Sequence, residues 1–184
     1  MICTRRIFGK MAAAALSGAS LPAKPSSKFQ GVQIGAITYS FRQLPSTADS
    51  ILKYCTELGI SSIELMGDVA ESYAGAPGNG PRAGRGPATP EQQAAIQNAA
   101  EERQKWRLSV SMEKYKALRA MYHQAGVNID VFKLPLTAKM SGDEYEYVFN
   151  ATKAIGARSI TMELPADTVL TKRLGEFAKR HDVY

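Results

Sequence analysis

The chain has 184 residues, 45% hydrophobic and 22% charged, with a formal net charge of +6. That length allows one domain with a real core, but a closed eight-stranded βα barrel takes about 250 residues. The positive charge is local: Arg5, Arg6, Lys10, Lys24 and Lys28 precede the first acid, and the remaining chain carries 18 basic and 17 acidic side chains, so the balance gives no ground for a nucleic-acid partner.

The first residues, Thr4-Arg5-Arg6-Ile7-Phe8-Gly9-Lys10, lead into a weakly apolar run from Met11 to Leu21 and then Pro22-Ala23-Lys24. Paired arginines, an aromatic two residues on, a lysine and an alanine-rich run resemble a twin-arginine export signal, with peptidase sites among the small residues Ser17 to Ala23. Residues 1–28 are therefore expected to be signal and linker, and 29–184 the mature domain in the periplasm or outside the cell. The expected partner of this end is the twin-arginine export machinery. No other stretch reaches the ~18 apolar residues of a membrane span, so stable membrane insertion is not expected. Cys3 leaves with such a leader, and a lone Cys55 excludes an internal disulfide.

Val32 to Phe41 predicts the first strand, and Leu44-Pro45-Ser46 turns it into a helix capped by Ser46 with Asp49. Ile51, Cys55 and Leu58 form that helix's apolar stripe, which makes Cys55 a core thiol. Ile63 to Met66 is the second strand. Residues 75–90 hold five glycines, four prolines and two arginines, a composition that reads as loop. Leaving the C-terminal end of a strand, this insertion is expected to be a lid or rim. Thr89-Pro90-Glu91-Gln92 then starts a helix, with proline at its first position and a capping box, that runs to about Arg107.

Met112, Tyr115, Leu118, Tyr122 and Ala125 mark the next helix, and Ile129 to Leu134 the third strand. Ser141 with Glu144 caps a helix lined by Val148, Ala151 and Ile155. Ile160 to Leu164 is the fourth strand, and Leu170, Leu174 and Phe177 stripe the last helix. Asp182-Val183-Tyr184 reads as the opening of a fifth strand. Gly59, Gly126 and Gly156 each stand between a helix and an apolar run, where a left-handed residue ends the helix. Three such junctions make repeated βα units, hence an α/β fold with a parallel sheet covered by helices.

Strand alternation selects candidate site residues. Ile63 and Leu65 face the helices, so Glu64 points inward; Ile160, Met162 and Leu164 do likewise, so Thr161 and Glu163 point inward. Tyr39 and Phe41 stand at the mouth of the first strand as candidate substrate contacts, with Glu64 beside them. A carboxylate at an inner strand end needs a cation or a donor, and Glu163 is the candidate catalytic group. Lys133 shares the parity of Ile129 and Val131, which predicts a stem on apolar surface with its ammonium in water. His123 and His181 sit in last helical turns, favourable for a partly positive imidazole, and are not read as ligands. Trp106 is read as a cap over the core. No phosphate loop, nucleophile elbow or HExxH motif is present in the sequence.

The run ValGlnIleGlyAlaIleThrTyrSerPheArg42, with GluLeuGly59, SerIleGluLeuMet66, IleAspValPheLysLeu134 and AlaIleGlyAlaArgSerIleThrMetGluLeuPro165, resembles sugar phosphate isomerase/epimerase proteins of the xylose-isomerase-like TIM-barrel superfamily. The resemblance implies a (β/α)8 barrel of which these residues supply the first four βα units and the start of the fifth strand. It implies a divalent metal (Mn, Mg, Co or Zn), with most ligands beyond Tyr184 and none assigned here. It implies a small carbohydrate substrate and metal-assisted proton transfer beside a carbonyl, in an isomerase or epimerase. An exported sugar lyase, a non-catalytic carbohydrate-binding barrel and, against the charge balance, an endonuclease IV-like repair enzyme remain alternatives. A homo-oligomer is also left open.

Overall fold

Gln30 and Gly31 both take positive φ, 48° and 84°, the pair of values that closes a tight two-residue hairpin. In the computed structural model, which describes residues 24–78, 80, 88–163 and 167–184, that hairpin joins β1 (Lys28–Phe29) to β2 (Val32–Gln33). The export-signal reading, half of the Gly/Pro-rich loop and the placement of Leu164 lie outside the described residues. Ser27 exchanges hydrogen bonds with Ser61, and Lys28 opens β1.

The expected strand Val32 to Phe41 does not run through. After the hairpin the chain gives β3 (Ala36–Ile37) and then a 3₁₀ helix, Thr38–Phe41. Gly35 allows the close approach, since a Cβ there would stand 3.0 Å from the Ser62 carbonyl oxygen. β3 pairs in parallel with β4 (Ser62–Met66), β4 with β5 (Asn128–Lys133), and β5 with β6 (Ser159–Ile160). The sheet therefore has four parallel strands in sequence order. Beyond β6, the Tyr184 carbonyl accepts from Ile160 N at 2.6 Å and its N–H donates to the Arg158 carbonyl at 2.9 Å, the pattern of one more parallel bridge.

Six α-helices are found among the described residues: α1 (Ala48–Glu57), α2 (Gly67–Ala74), α3 (Pro90–Arg107), α4 (Glu113–Gln124), α5 (Gly142–Ile155) and α6 (Thr168–His181). The cap of α1 is Thr47, whose hydroxyl accepts from Ser50 N at 3.2 Å, one residue beyond the expected Ser46. α1 also stops at Glu57, so Leu58 leaves the stripe and is 65% exposed rather than buried. The capping boxes of α3 (Thr89, Gln92) and α5 (Ser141, Glu144) form as expected. Gly59, Gly126 and Gly156 take positive φ of 71°, 86° and 88°. α2, which follows β4 directly, had no counterpart in the sequence reading.

The helices bury one face of the sheet. Leu65 and Phe132 pair across β4 and β5 with no exposure, under a core that includes Ile51, Cys55, Tyr115, Leu118, Val148 and Ile155. The opposite face carries Ile37, Glu64, Val131 and Ser159, which pair in one row and are only half-buried. This face and its C-terminal strand ends hold the candidate site.

Candidate functional site at the strand ends

In a parallel sheet, paired residues project to the same side, so the register places the inner side chains. Between Ile63 and Glu64 the register of β4 on β5 shifts, and Glu64 pairs with Val131 while Ile63 pairs with Ile129. Asp130 takes up the extra position, and its carboxylate accepts from the Ser62 hydroxyl at 2.6 Å. Beyond that bulge the alternation changes phase. Phe132 goes to the helices, and Lys133 to the side of Glu64. The expectation that Lys133 shares the face of Ile129 is thus corrected.

Three neighbouring strands, β4, β5 and β6, then contribute to one region. Thr161 lies just past β6, and its hydroxyl donates to Glu64 Oε1 at 2.5 Å. Lys133, the last residue of β5, donates from Nζ to Glu163 Oε1 at 2.9 Å. The inward placement of Glu64 and Thr161 expected from alternation is what the register gives. Glu163 is 89% exposed and Lys133 21% exposed, so Glu163 is not desolvated as a buried strand-end carboxylate would be. The bond to Glu163 raises the Lys133 pKa, with the charges of Glu163 and Glu64 adding to it. The ammonium is therefore firmly protonated at neutral pH.

Beside this region, Tyr39 and Arg42 border a cleft of about 390 Å³ that also meets Gln43, Ser46, Met66 and Asp68. The Arg42 guanidinium stands 4.8 Å above the Tyr39 ring. Thr38 is buried and accepts from Met66 N at 3.0 Å, tying the 3₁₀ turn to the end of β4. Phe41 departs from its expected role as a substrate contact. A 3₁₀ helix turns successive side chains by about 120°, where a strand would alternate them, and this carries Phe41 into the core against Tyr54 with ring centroids 5.4 Å apart.

No group of three or more His, Cys, Asp or Glu side chains is close enough to hold a metal ion among the described residues. Glu64 and Glu163 are each satisfied by a neutral or cationic donor, so these residues do not by themselves fit the metal set that the family resemblance implies.

The deepest carboxylate lies elsewhere. Glu71 in α2 is 1% exposed and is bonded by Arg103, by Arg107 Nε at 2.8 Å and by the Tyr147 hydroxyl at 3.0 Å. Glu144 joins the same cluster through Gln104 at 2.9 Å and Arg107 at 3.7 Å. Burial works against the Arg107 charge, but the bonded Glu71 offsets it and the pKa rises. Burial likewise pushes the Tyr147 hydroxyl far up. Two carboxylates met by two guanidiniums on the helix side of the sheet form a clamp between α2, α3 and α5, not a reaction centre. Spacing alone does not signal it, because Glu71 and Arg103 are 32 residues apart.

The remaining residues keep structural roles. Burial lifts the Cys55 pKa to about 11, which leaves the thiol protonated and unreactive. Trp106 packs on the core edge-on to Tyr147, as a cap. His181 lies against the Phe149 and Phe177 rings and meets Glu146 at 2.7 Å, a carboxylate contact that sequence reasoning missed. No helix among the described residues is long and apolar enough to cross a membrane. No protein-family model matches the chain, and no curated protein matches it.

Proposed function

We propose that the chain forms the first four βα units of a xylose-isomerase-like (β/α)8 barrel, exported by the twin-arginine route, that isomerises or epimerises a sugar or keto-sugar. The observation that carries this reading is the pair of carboxylates on one face of the sheet, Glu64 within β4 held by Thr161 and Glu163 beyond β6 held by Lys133 at the end of β5. Active sites of βα barrels lie at that end of the sheet. Proton transfer beside a carbonyl needs a base and a donor for the developing oxyanion, and Glu163 and Lys133 are one of each. The sequential order of the parallel strands, and the backbone bridge of Tyr184 on β6, support the barrel reading.

A second reading, a carbohydrate-binding barrel without catalysis, is favoured by the exposure of Glu163 and by the stacked surface of Tyr39 and Arg42. One experiment separates the two. The full-length protein is incubated in D₂O with D-fructose, D-tagatose and D-allulose, and proton NMR follows the positions next to the carbonyl. Catalysed loss of a C–H signal or growth of an epimer is the expected result. Binding of a ketose without exchange would replace the enzyme reading by the second, and neither exchange nor binding would refute both.

A further inference from the structure

The N-terminal end of the parallel sheet, opposite the candidate site, presents apolar and cationic side chains together. Its centre is the β1–β2 hairpin, whose base is fixed to the strand ends. Ser27 N donates to the Ser61 hydroxyl at 3.0 Å, Ser61 N to the Ser27 hydroxyl at 2.9 Å, and Gln33 Nε2 to the Ser61 hydroxyl at 3.1 Å. Ser61 directly precedes β4, so the hairpin stands where that strand begins. At its tip, Phe29 and Val32 pair across the tight turn and are 68% and 62% exposed. Ile34, just after the hairpin, and Leu58, just before Ser61, are exposed as well. An aromatic and an aliphatic side chain paired on a solvent-facing tip are not part of this domain's core.

Cations surround that tip. The Lys24 side chain lies over Gly126, where an added Cβ would stand 2.8 Å from the lysine Cβ, and Arg119 lies over Gly156, where one would stand 2.6 Å from Nε. Those glycines precede β5 and β6, so both cations are at the same end of the sheet as the hairpin. Lys153 and Arg158 border one cleft with Arg119, of about 370 Å³. Lys24, Lys28, Arg119 and Lys153 are exposed, and among the described residues none has a carboxylate within ion-pair distance. The acids at this end are Asp130, bonded to Ser62 and 3.9 Å from Arg158, Asp182 in the cleft, and Glu57 beside Lys53. Cations remain in excess. A cation in the last turn of a helix offsets the helix dipole, which accounts for Lys153 in α5 but not for Lys24 and Lys28, which lie outside any helix.

We propose that this end of the domain rests on an anionic lipid surface, with Phe29 and Val32 entering the boundary between headgroups and acyl chains and Lys24, Lys28, Arg119 and Lys153 meeting the lipid phosphates. Cations alone would suit any polyanion. The apolar pair selects the bilayer, because Phe29 and Val32 gain free energy only where hydrocarbon is within reach, and apolar burial with basic charge is the combination that holds a protein on a membrane surface. A two-residue turn cannot span a bilayer, so the attachment is peripheral. Because the strands are parallel, Glu163 and Lys133 at their C-terminal ends then face away from the lipid and stay open to a soluble substrate.

The test is co-sedimentation of the full chain with vesicles of phosphatidylcholine mixed with phosphatidylglycerol, and with vesicles of phosphatidylcholine alone. Four proteins are compared: the natural one, Phe29→Ser with Val32→Thr, Lys24→Gln with Lys28→Gln, and a leader variant in which Arg5, Arg6 and Lys10 are all glutamine. Thermal melts confirm that each is folded. Binding is expected to the mixed vesicles only, to weaken as salt shortens the Debye length from ~10 Å at 0.1 M to ~3 Å at 1 M, and to fall about 10-fold or more in each hairpin variant. A local readout separates the hairpin from the leader: fluorescence added by Phe29→Trp, above the Trp106 background, should be quenched by lipids brominated on the acyl chain. No binding to the mixed vesicles, binding lost in the leader variant but unchanged in both hairpin variants, or added fluorescence that brominated lipid does not quench would each overturn the proposal. So would tighter binding to a duplex DNA than to the vesicles, with no dependence on Phe29 and Val32.

Discussion

Replacing Glu71 with leucine should destabilise the protein by about 3 kcal/mol, the lower part of the range for breaking a buried ion pair from one side. The lower part applies because of what is left behind. The Arg103 and Arg107 side chains are 14% and 15% exposed, so each has a short route to water once its carboxylate is gone. The Tyr147 hydroxyl keeps its contact with Tyr115 and is not orphaned. For a domain of this size a loss of that order lowers Tm by about 6–12 °C. Glu71→Gln, which preserves shape and an acceptor, should cost less than half as much. The assay is urea and thermal unfolding by circular dichroism, with a double-mutant cycle of Glu71→Leu and Arg107→Met. Coupling of at least about 1 kcal/mol is expected, since the two side chains share one network. A loss below about 1 kcal/mol for Glu71→Leu, or additive effects in the cycle, would refute the view that this clamp holds α2, α3 and α5 together.

Cys55 gives a pH signature: its pKa is raised from an ordinary 9.0 to about 11, so its contribution to stability is complete below about pH 9 and is lost as pH rises to about 11. The loss should approach ~2–3 kcal/mol, and Cys55→Ala should flatten that part of the stability curve, whereas identical curves for the two proteins would argue against a buried thiol. Replacing Arg5 and Arg6 with lysine in the full-length gene should leave the product in the cytoplasm on fractionation, and undiminished periplasmic protein would reject the twin-arginine reading.

The parts of this fold that the sequence displays are those set by local chemistry. Thr89-Pro90-Glu91-Gln92 and Ser141 with Glu144 announce their capping boxes because donor and acceptor lie three residues apart. Gly59, Gly126 and Gly156 announce helix ends because left-handed backbone suits glycine. Glu64 and Thr161 could be placed on one face by counting, since no irregularity intervenes within either strand end. Lys133 could not, because its side depends on a bulge set by pairing with β4. Phe41 was misplaced for a related reason: an apolar alternating run is compatible with a strand, and the 3₁₀ turn is fixed by the tie from Met66 to Thr38, 28 residues apart. The Glu71 clamp is wholly tertiary. For Lys133, Phe41 and Glu71 the deciding contact is distant in sequence.

If these carboxylates do proton chemistry on a sugar, the rate of solvent exchange in D₂O on the ketose that exchanges fastest should differ sharply between the natural protein and Glu163→Gln. Glu163 is exposed, so the substitution should leave the melting curve unchanged. The expected fall in kcat is about 10²- to 10⁴-fold, the contribution of a positioned acid or base. Equal exchange rates for the two proteins would contradict it.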